Sequence, residues 1–91
     1  MSYIIRYSNH IDWKRFKKIP ARERLQLKKA IENKLMTDPY LFGKPLRKSL
    51  SGCRSLRVGD YRIIYTIDGK TVEVLLFGHR SMVYDDAQKI V

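Results

Sequence analysis

Apolar and polar residues alternate most regularly in the second half of the chain, where they predict three consecutive β-strands. Arg54–Val58, Tyr61–Asp68 and Thr71–His79 are rich in β-branched and aromatic residues. Gly59-Asp60 and Asp68-Gly69 separate them, and such pairs are typical of two-residue hairpin turns. The last strand is apolar on both faces, which is typical of a covered strand.

The alternation also assigns side chains to the faces of the sheet. Ser55 and Arg57 share a face of the first strand, because neighbouring side chains point to opposite sides. In the second strand Arg62 and Ile64 share a face. The opposite face of that strand is aromatic and aliphatic, with Tyr61, Ile63, Tyr65 and Ile67.

The first half of the chain predicts one strand and two helices. Tyr3–Tyr7 has the density of a strand, and Ser8 or Asn9 can then cap a first helix at His10–Lys18. Pro20 ends that helix and fits the first turn of the next. The inward positions of the first helix are Ile11, Trp13 and Phe16.

A second helix is expected at Ala21–Thr37, because apolar residues recur along one side with helical spacing. Pro39–Gly52 shows no periodicity, so we expect a long loop, either functional or a mobile connection. A short helix is expected at Asp85–Ile90. The apolar stripe of the second helix consists of Leu27, Ala30, Ile31 and Leu35.

These elements predict a single α+β domain over residues 1–91. Its antiparallel sheet, made of the N-terminal strand and the C-terminal three-stranded meander, packs on a two-helix hairpin.

The chain is strongly basic, because it contains 19 Lys and Arg against 9 Asp and Glu, which gives a net charge of +10. Such a field attracts anionic partners. Nucleic acid is the commonest, ahead of an acidic protein and an anionic membrane surface, and a generally soluble basic protein without such a partner is the lesser alternative.

Several classes of protein are disfavoured by what the sequence contains. A single cysteine, Cys53, excludes an intramolecular disulfide, and two distant histidines form no zinc-like cluster. The apolar start is too short for a signal peptide, and no run reaches the length of a transmembrane helix. We therefore expect a cytoplasmic protein that uses neither a metal nor a small-molecule cofactor.

Basic and aromatic side chains converge near the ends of the meander strands. Arginine is costly to bury and suits fixed contacts with phosphate or carboxylate. The group has the parts for RNA cleavage without metal, since arginines hold charge while a histidine or tyrosine moves protons. Each residue also has an ordinary explanation, such as pairing of Arg62 with Asp60 or Glu73. The group comprises Arg57, Arg62, His79, Arg80 and Tyr84.

Two motifs carry a resemblance to a known family. Leu56-Arg57-Val58-Gly59-Asp60-Tyr61-Arg62-Ile63-Ile64-Tyr65 and Gly78-His79-Arg80 with Val83-Tyr84 resemble the RelE-type toxins of the RelE/ParE superfamily. The likeness covers nearly the whole chain. It implies a bacterial toxin that enters the ribosomal A site and cuts mRNA by attack of a 2′-hydroxyl on the adjacent phosphate. It also implies silencing by a cognate antitoxin protein.

The resemblance implies roles for individual residues. The catalytic set would be Arg62 and Arg80, which hold the scissile phosphate, Tyr84 as general base and His79 as general acid or second proton carrier. Arg57 would position the RNA backbone, and partners would be the ribosome with its small-subunit RNA, mRNA and the antitoxin. Two alternatives stay open, namely a ParE-like inhibitor of DNA gyrase and an inactive homologue, for which Ser55 would be the symptom. Further RNA contacts would come from Arg54, Lys44, Arg47 and Lys48.

Overall fold

The computed structural model describes residues 2–90, which form one five-stranded sheet flanked by helices. The strand order is β1-β5-β4-β3-β2. The strands are β1 (Ile4–Tyr7), β2 (Lys44–Pro45), β3 (Arg54–Val58), β4 (Tyr61–Asp68) and β5 (Thr71–His79), and the helices are α1 (Trp13–Lys18), α2 (Ala21–Ala30), α3 (Pro39–Phe42) and α4 (Val83–Ile90). A π-helical turn, Ile31–Leu35, continues α2, and a 3₁₀ turn spans Lys48–Leu50.

The predicted meander is confirmed, with strand bounds as expected from the alternation. Val58 pairs with Tyr61 across a Gly59-Asp60 turn. The second turn is Gly69-Lys70, one residue later than expected, since Asp68 pairs with Thr71. Gly59 and Gly69 have φ of +62° and +60°, a conformation that glycine adopts without steric cost.

The α+β class is confirmed, but the sheet is mixed and not antiparallel throughout. β1 runs parallel to β5, with Ile4 opposite Thr71 and Tyr7 opposite Val74. Parallel pairing requires a crossover connection, and here α1 and α2 follow β1 directly. The alternation of side chains does not encode strand direction. β1 also covers only the first part of β5, and the bond from Ser8 N–H to the Val74 carbonyl (2.9 Å) is the last in this pairing.

One core lies between the sheet and the α1–α2 pair, where the predicted stripe of α2 is buried. The helix itself is shorter than predicted and ends in the π turn, in which Met36 N–H donates to the Ile31 carbonyl (2.9 Å). α1 starts later than predicted, because Asp12 caps it by accepting from Lys14 N–H at 3.0 Å. Trp13, predicted to face inward, is 44% exposed.

A second core lies on the opposite face of the sheet, under α4. It consists of Leu50, Cys53, Ile64, Leu76, Val83 and Ala87. Burial raises the pKa of the Cys53 thiol, so this side chain stays neutral and packs as a small apolar group. α4 begins at Val83, two residues before the predicted start.

Pro39–Gly52 is not the irregular loop that the sequence predicts. It contains α3, β2 and the 3₁₀ turn, all too short to produce a periodic pattern. Asp38 caps α3 by accepting from Leu41 N–H at 3.2 Å, and β2 adds an edge strand to β3. Among residues 2–90, no helix has the length and apolar character needed to cross a bilayer.

The packing of Gly43 against Tyr65 joins α3 to the sheet. Tyr65 is fully buried, and its hydroxyl donates to the Pro39 carbonyl at 2.7 Å. Burial raises the pKa of this phenol, and the neighbouring Arg54 partly offsets that rise. A side chain at Gly43 would collide with the Tyr65 hydroxyl, so the chain passes over the ring only as glycine.

We expect Gly43→Ala to lower the free energy of unfolding by about 1–3 kcal/mol, because Tyr65 has no room to move. In a Tyr65→Phe background, the same substitution should cost less, since the atom closest to the new methyl group is gone. Urea denaturation of the four proteins measures both costs. Equal costs in the two backgrounds would contradict this packing.

Candidate functional site

The two strand arginines of the motif lie side by side. Arg57 pairs with Arg62 across β3 and β4, and Arg62 pairs with Gly78 of β5, so all three share the α4 face of the sheet. Like charges directly opposite each other are destabilising. Within residues 2–90 neither guanidinium forms an ion pair, since Glu73 pairs with Arg6 and not with Arg62. The pair is therefore suited to an external anion.

Tyr84 reaches this row because α4 begins directly on Gly78. A Cβ on Gly78 would lie 3.0 Å from the Val83 side chain, so the absence of a side chain lets the helix approach. The next residue, Tyr84, then stands beside Arg62, whose guanidinium carbon lies 5.8 Å from the centre of the ring. The Tyr84 hydroxyl lies 3.2 Å from Ser55 Oγ.

We call the set Lys44, Ser55, Arg57, Arg62 and Tyr84 the arginine face. Lys44 of β2 pairs with Ser55 of β3, so it joins this face at the edge of the sheet. Arg57 is exposed and donates from Nε to the Gly59 carbonyl at 3.3 Å. The arrangement presents three cations and a phenol on one open surface, which suits a phosphodiester backbone.

His79 lies on the opposite face of the sheet from Arg62. It pairs with Tyr61, and the two rings meet edge-on with their centres 5.6 Å apart. The cause is a β-bulge, because Ile64 pairs with Leu76 while Tyr65 pairs with Val74, which leaves Leu75 as an extra residue in β5. That extra residue reverses the face of every later side chain in the strand.

The ring of His79 is held by Ser81. Ser81 N–H donates to His79 Nδ1 at 3.2 Å, and Ser81 Oγ lies 2.8 Å from the same nitrogen. A backbone N–H can only donate, so Nδ1 accepts and the proton of the neutral ring is on Nε2. His79 lines a groove of about 500 Å³ between α1 and α4.

Arg80 follows β5 immediately. Its backbone N–H donates to the Asp60 carbonyl at 2.9 Å, which ties the end of β5 to the β3–β4 turn. Its side chain is exposed and forms no ion pair with any residue from 2 to 90. Arg80 thus stands at the boundary between the arginine face and His79.

Arg54 is held within the fold and points away from this open surface. Its guanidinium donates to the carbonyls of Tyr40 (2.7 Å) and Gly43 (2.8 Å) and lies 5.6 Å from the centre of the Tyr40 ring. These contacts secure the C-terminal end of α3 to β3. Arg47 and Lys48 are exposed around the 3₁₀ turn, where Lys48 has a φ of +58°.

Solved structures of toxins share this architecture. The RelBE2 toxin–antitoxin complex of Mycobacterium tuberculosis matches with 33% identity and a TM-score of 0.79, over 88% of this chain and 100% of the matched chain. A free-state structure of an Escherichia coli RelE variant matches with 30% identity and a TM-score of 0.73, over 100% and 99%. The family model described as "ParE toxin of type II toxin-antitoxin system, parDE" matches residues 3–84. This chain belongs to the RelE/ParE family of type II toxins.

Two curated members of the family are similar over a shorter stretch. Toxin RelE and Toxin RelG of Mycobacterium tuberculosis are each 44% identical over 52 residues, or 55% of this chain. The matched stretch covers 54% and 60% of those two relatives, so it spans little more than half of their length. The likeness to the RelE-type members is thus strongest in sequence over part of the chain and extends over the whole fold.

In this RelE/ParE-family toxin Ser55 belongs to the arginine face, although it is not among the site residues predicted from the sequence. The signal was present, because strand alternation places Ser55 two residues before Arg57 and on the same face. Its contact with Tyr84, however, depends on how α4 packs.

Within residues 2–90, no group of three or more histidine, cysteine, aspartate or glutamate side chains could hold a metal ion.

The two arginines of β3 should differ sharply in their effect on stability. We expect Arg54→Ala to cost about 1.5–3 kcal/mol of unfolding free energy, because hydrogen bonds from a charged group to two carbonyls are lost. Arg57→Ala, a matched change three residues later, should stay within about 0.5 kcal/mol. Urea denaturation compares the two. A larger cost for Arg57→Ala would show that we have assigned the structural arginine incorrectly.

Proposed function

We propose that this toxin is a metal-independent endoribonuclease that cuts mRNA in the ribosomal A site and so arrests translation. The observation that carries the proposal is the arginine face, where Arg57 and Arg62 lie side by side without an ion pair among residues 2–90, and the Arg62 guanidinium lies against the ring of Tyr84. Its positive charge suits the RNA backbone, and the phenol can exchange a proton with a ribose hydroxyl. The matches to RelE-type toxins support this assignment, because the resemblance of the two sequence motifs to that type implies cleavage of mRNA.

In the proposed reaction, Tyr84 as the phenolate takes the proton of the 2′-hydroxyl, whose oxygen attacks the adjacent phosphorus. Arg62 and Arg80 stabilise the charge that develops on the phosphate oxygens, and Arg57 holds the backbone. The bond to the 5′ oxygen breaks, and that oxygen takes a proton from His79. The products are a 2′,3′-cyclic phosphate and a free 5′-hydroxyl.

The position of His79 sets a condition on how RNA would lie. Because His79 and Arg62 occupy opposite faces of the sheet, the leaving oxygen reaches His79 only where the RNA crosses the free end of β5. Arg80 directly follows β5, so its side chain could contact the RNA where the RNA crosses that end of the sheet. As the general acid, His79 would act as the imidazolium, whose Nδ1–H can donate to Ser81 Oγ while Nε2–H gives its proton to the leaving oxygen.

Ribosomal RNA is the proposed docking partner of the helical side. α1 and α2 carry exposed cations, and binding that neutralises phosphates weakens steeply as salt rises. These cations lie away from the arginine face, so the toxin can contact ribosomal RNA and mRNA together. They are Lys14, Lys17, Lys18, Arg22, Lys28 and Lys29.

A cognate antitoxin is the proposed protein partner. The matched toxin of Mycobacterium tuberculosis was solved in complex with its antitoxin, which supports such a partner here. With a net charge of +10, this toxin would attract an acidic segment. We propose that this segment covers the arginine face or displaces α4, either of which would silence the site.

A gyrase inhibitor is the second candidate, and the ParE name of the matching family description favours it. In that case the arginine face would be a binding surface without chemistry. An inactive homologue is the third candidate, and the uncharged Ser55 on the arginine face would be its symptom.

Primer extension on a defined mRNA in a purified translation reaction decides among these candidates. Cuts at A-site codons that require ribosomes are the expected result. Cuts on naked RNA would make the protein a free ribonuclease. Intact mRNA would reject the proposal, and inhibition of gyrase supercoiling by the same preparation would then establish the second candidate.

Loss of either proposed phosphate ligand should slow cleavage strongly. We expect Arg62→Ala and Arg80→Ala each to lower the cleavage rate on the order of 10²–10³-fold, as expected when a group that stabilises transition-state charge is lost. Arg6→Ala is the matched control, because Arg6 lies on β1 at the far edge of the sheet and pairs with Glu73. Wild-type cleavage by either test variant would remove that arginine from the mechanism.

A further inference from the structure

Ser55 is a buried hydroxyl group directly beneath the candidate site. Its side chain belongs to β3, and the residue is only 4% exposed, whereas Lys44 and Arg57 on the same face are exposed. Ser55 Oγ lies 3.2 Å from the Tyr84 hydroxyl, within hydrogen-bond distance. A hydroxyl this deeply buried is too enclosed to be an RNA contact, so its role must act through its partner.

Tyr84 has two neighbours on the arginine face, and they contact different parts of its side chain. Arg62 lies against the ring, while Ser55 meets the hydroxyl. Among residues 2–90, Ser55 is the one hydrogen-bond partner of that hydroxyl. The direction of the phenolic oxygen therefore depends on Ser55.

We propose that Ser55 is a positioning residue for the proton transfer at Tyr84. When Tyr84 is the phenolate its oxygen can only accept, so the Ser55 hydroxyl donates to it and holds it toward the arginine face. A serine hydroxyl can donate to a phenol and to a phenolate alike, so the contact persists through the transfer. This inference rests on the proposed nuclease function.

The element that carries Ser55 makes this contact effective. Tyr84 lies in the first turn of α4, whereas Ser55 lies within a strand paired on both sides, with Lys44 on β2 and Ile64 on β4. A paired strand is the more rigid support, and small errors in the position of a proton-transfer group reduce rates strongly. Ser55 thus fixes the tyrosine relative to the same strand that carries Arg57.

A double-mutant cycle tests the inference with the ribosome-dependent cleavage assay. We expect Ser55→Ala to lower kcat about three- to tenfold, the effect of one hydrogen bond, with KM unchanged. In a Tyr84→Phe background, Ser55→Ala should have no further effect, because the hydroxyl on which it acts is absent. An equal loss in both backgrounds would overturn the inference.

A matched pair of substitutions separates positioning from packing. Ser55→Thr and Ser55→Val add nearly the same volume, but only threonine keeps a hydroxyl, so Ser55→Thr should have the higher kcat by the same three- to tenfold factor. Equal kcat for the two variants would also overturn the inference. If the wild-type protein leaves ribosome-bound mRNA intact, the proposed function fails first and the inference falls with it. An active wild type with an additive cycle removes the inference alone.

Discussion

The contact between Gly78 and Val83 determines how the second face of the sheet is used. Since position 78 has no side chain, α4 begins in direct contact with β5 and buries Val83 and Ala87 over the sheet. The helix therefore covers one part of this face and leaves the row that contains Arg57 and Arg62 open. A side chain at position 78 would press against Val83 and shift the start of α4, which carries Tyr84, away from the sheet. One missing methyl group thus brings a helix residue into a site built on strands.

The open row is maintained at an electrostatic cost that the rest of the fold must offset. Two arginines opposite each other repel, and no carboxylate of the described residues relieves them. The sheet tolerates this because both of its faces contribute a buried core, and fully buried residues such as Ile63 and Ile64 belong to the same strand as Arg62. An anion bound between the two arginines would attract both and offset their repulsion, so the pair favours association with an anionic partner.

Most of the fold could be predicted from the sequence, because β3 and β4 alternate, glycine-containing turns separate the meander strands, and the long helix carries a continuous apolar stripe. β3, β4 and β5 begin and end where expected. The direction of β1 could not be predicted, since side-chain alternation is the same in parallel and antiparallel strands. Of the residues predicted to form the site, Arg57 and Arg62 lie side by side with Tyr84 against Arg62, but the bulge at Leu75 sends His79 to the other face. A single extra residue in a strand gives no clear signal in a pattern that is apolar on both sides.

The parallel pairing of β1 with β5 also affects the order in which the protein can be completed during synthesis. Ile4 is made early, yet its strand partner Thr71 is made late, so the sheet cannot close until most of the chain has left the ribosome. Long-range pairing of this kind forms slowly because a large loop must be closed first. Tyr84 emerges later still. The candidate site can therefore be complete only after Tyr84 has left the ribosome that makes the protein.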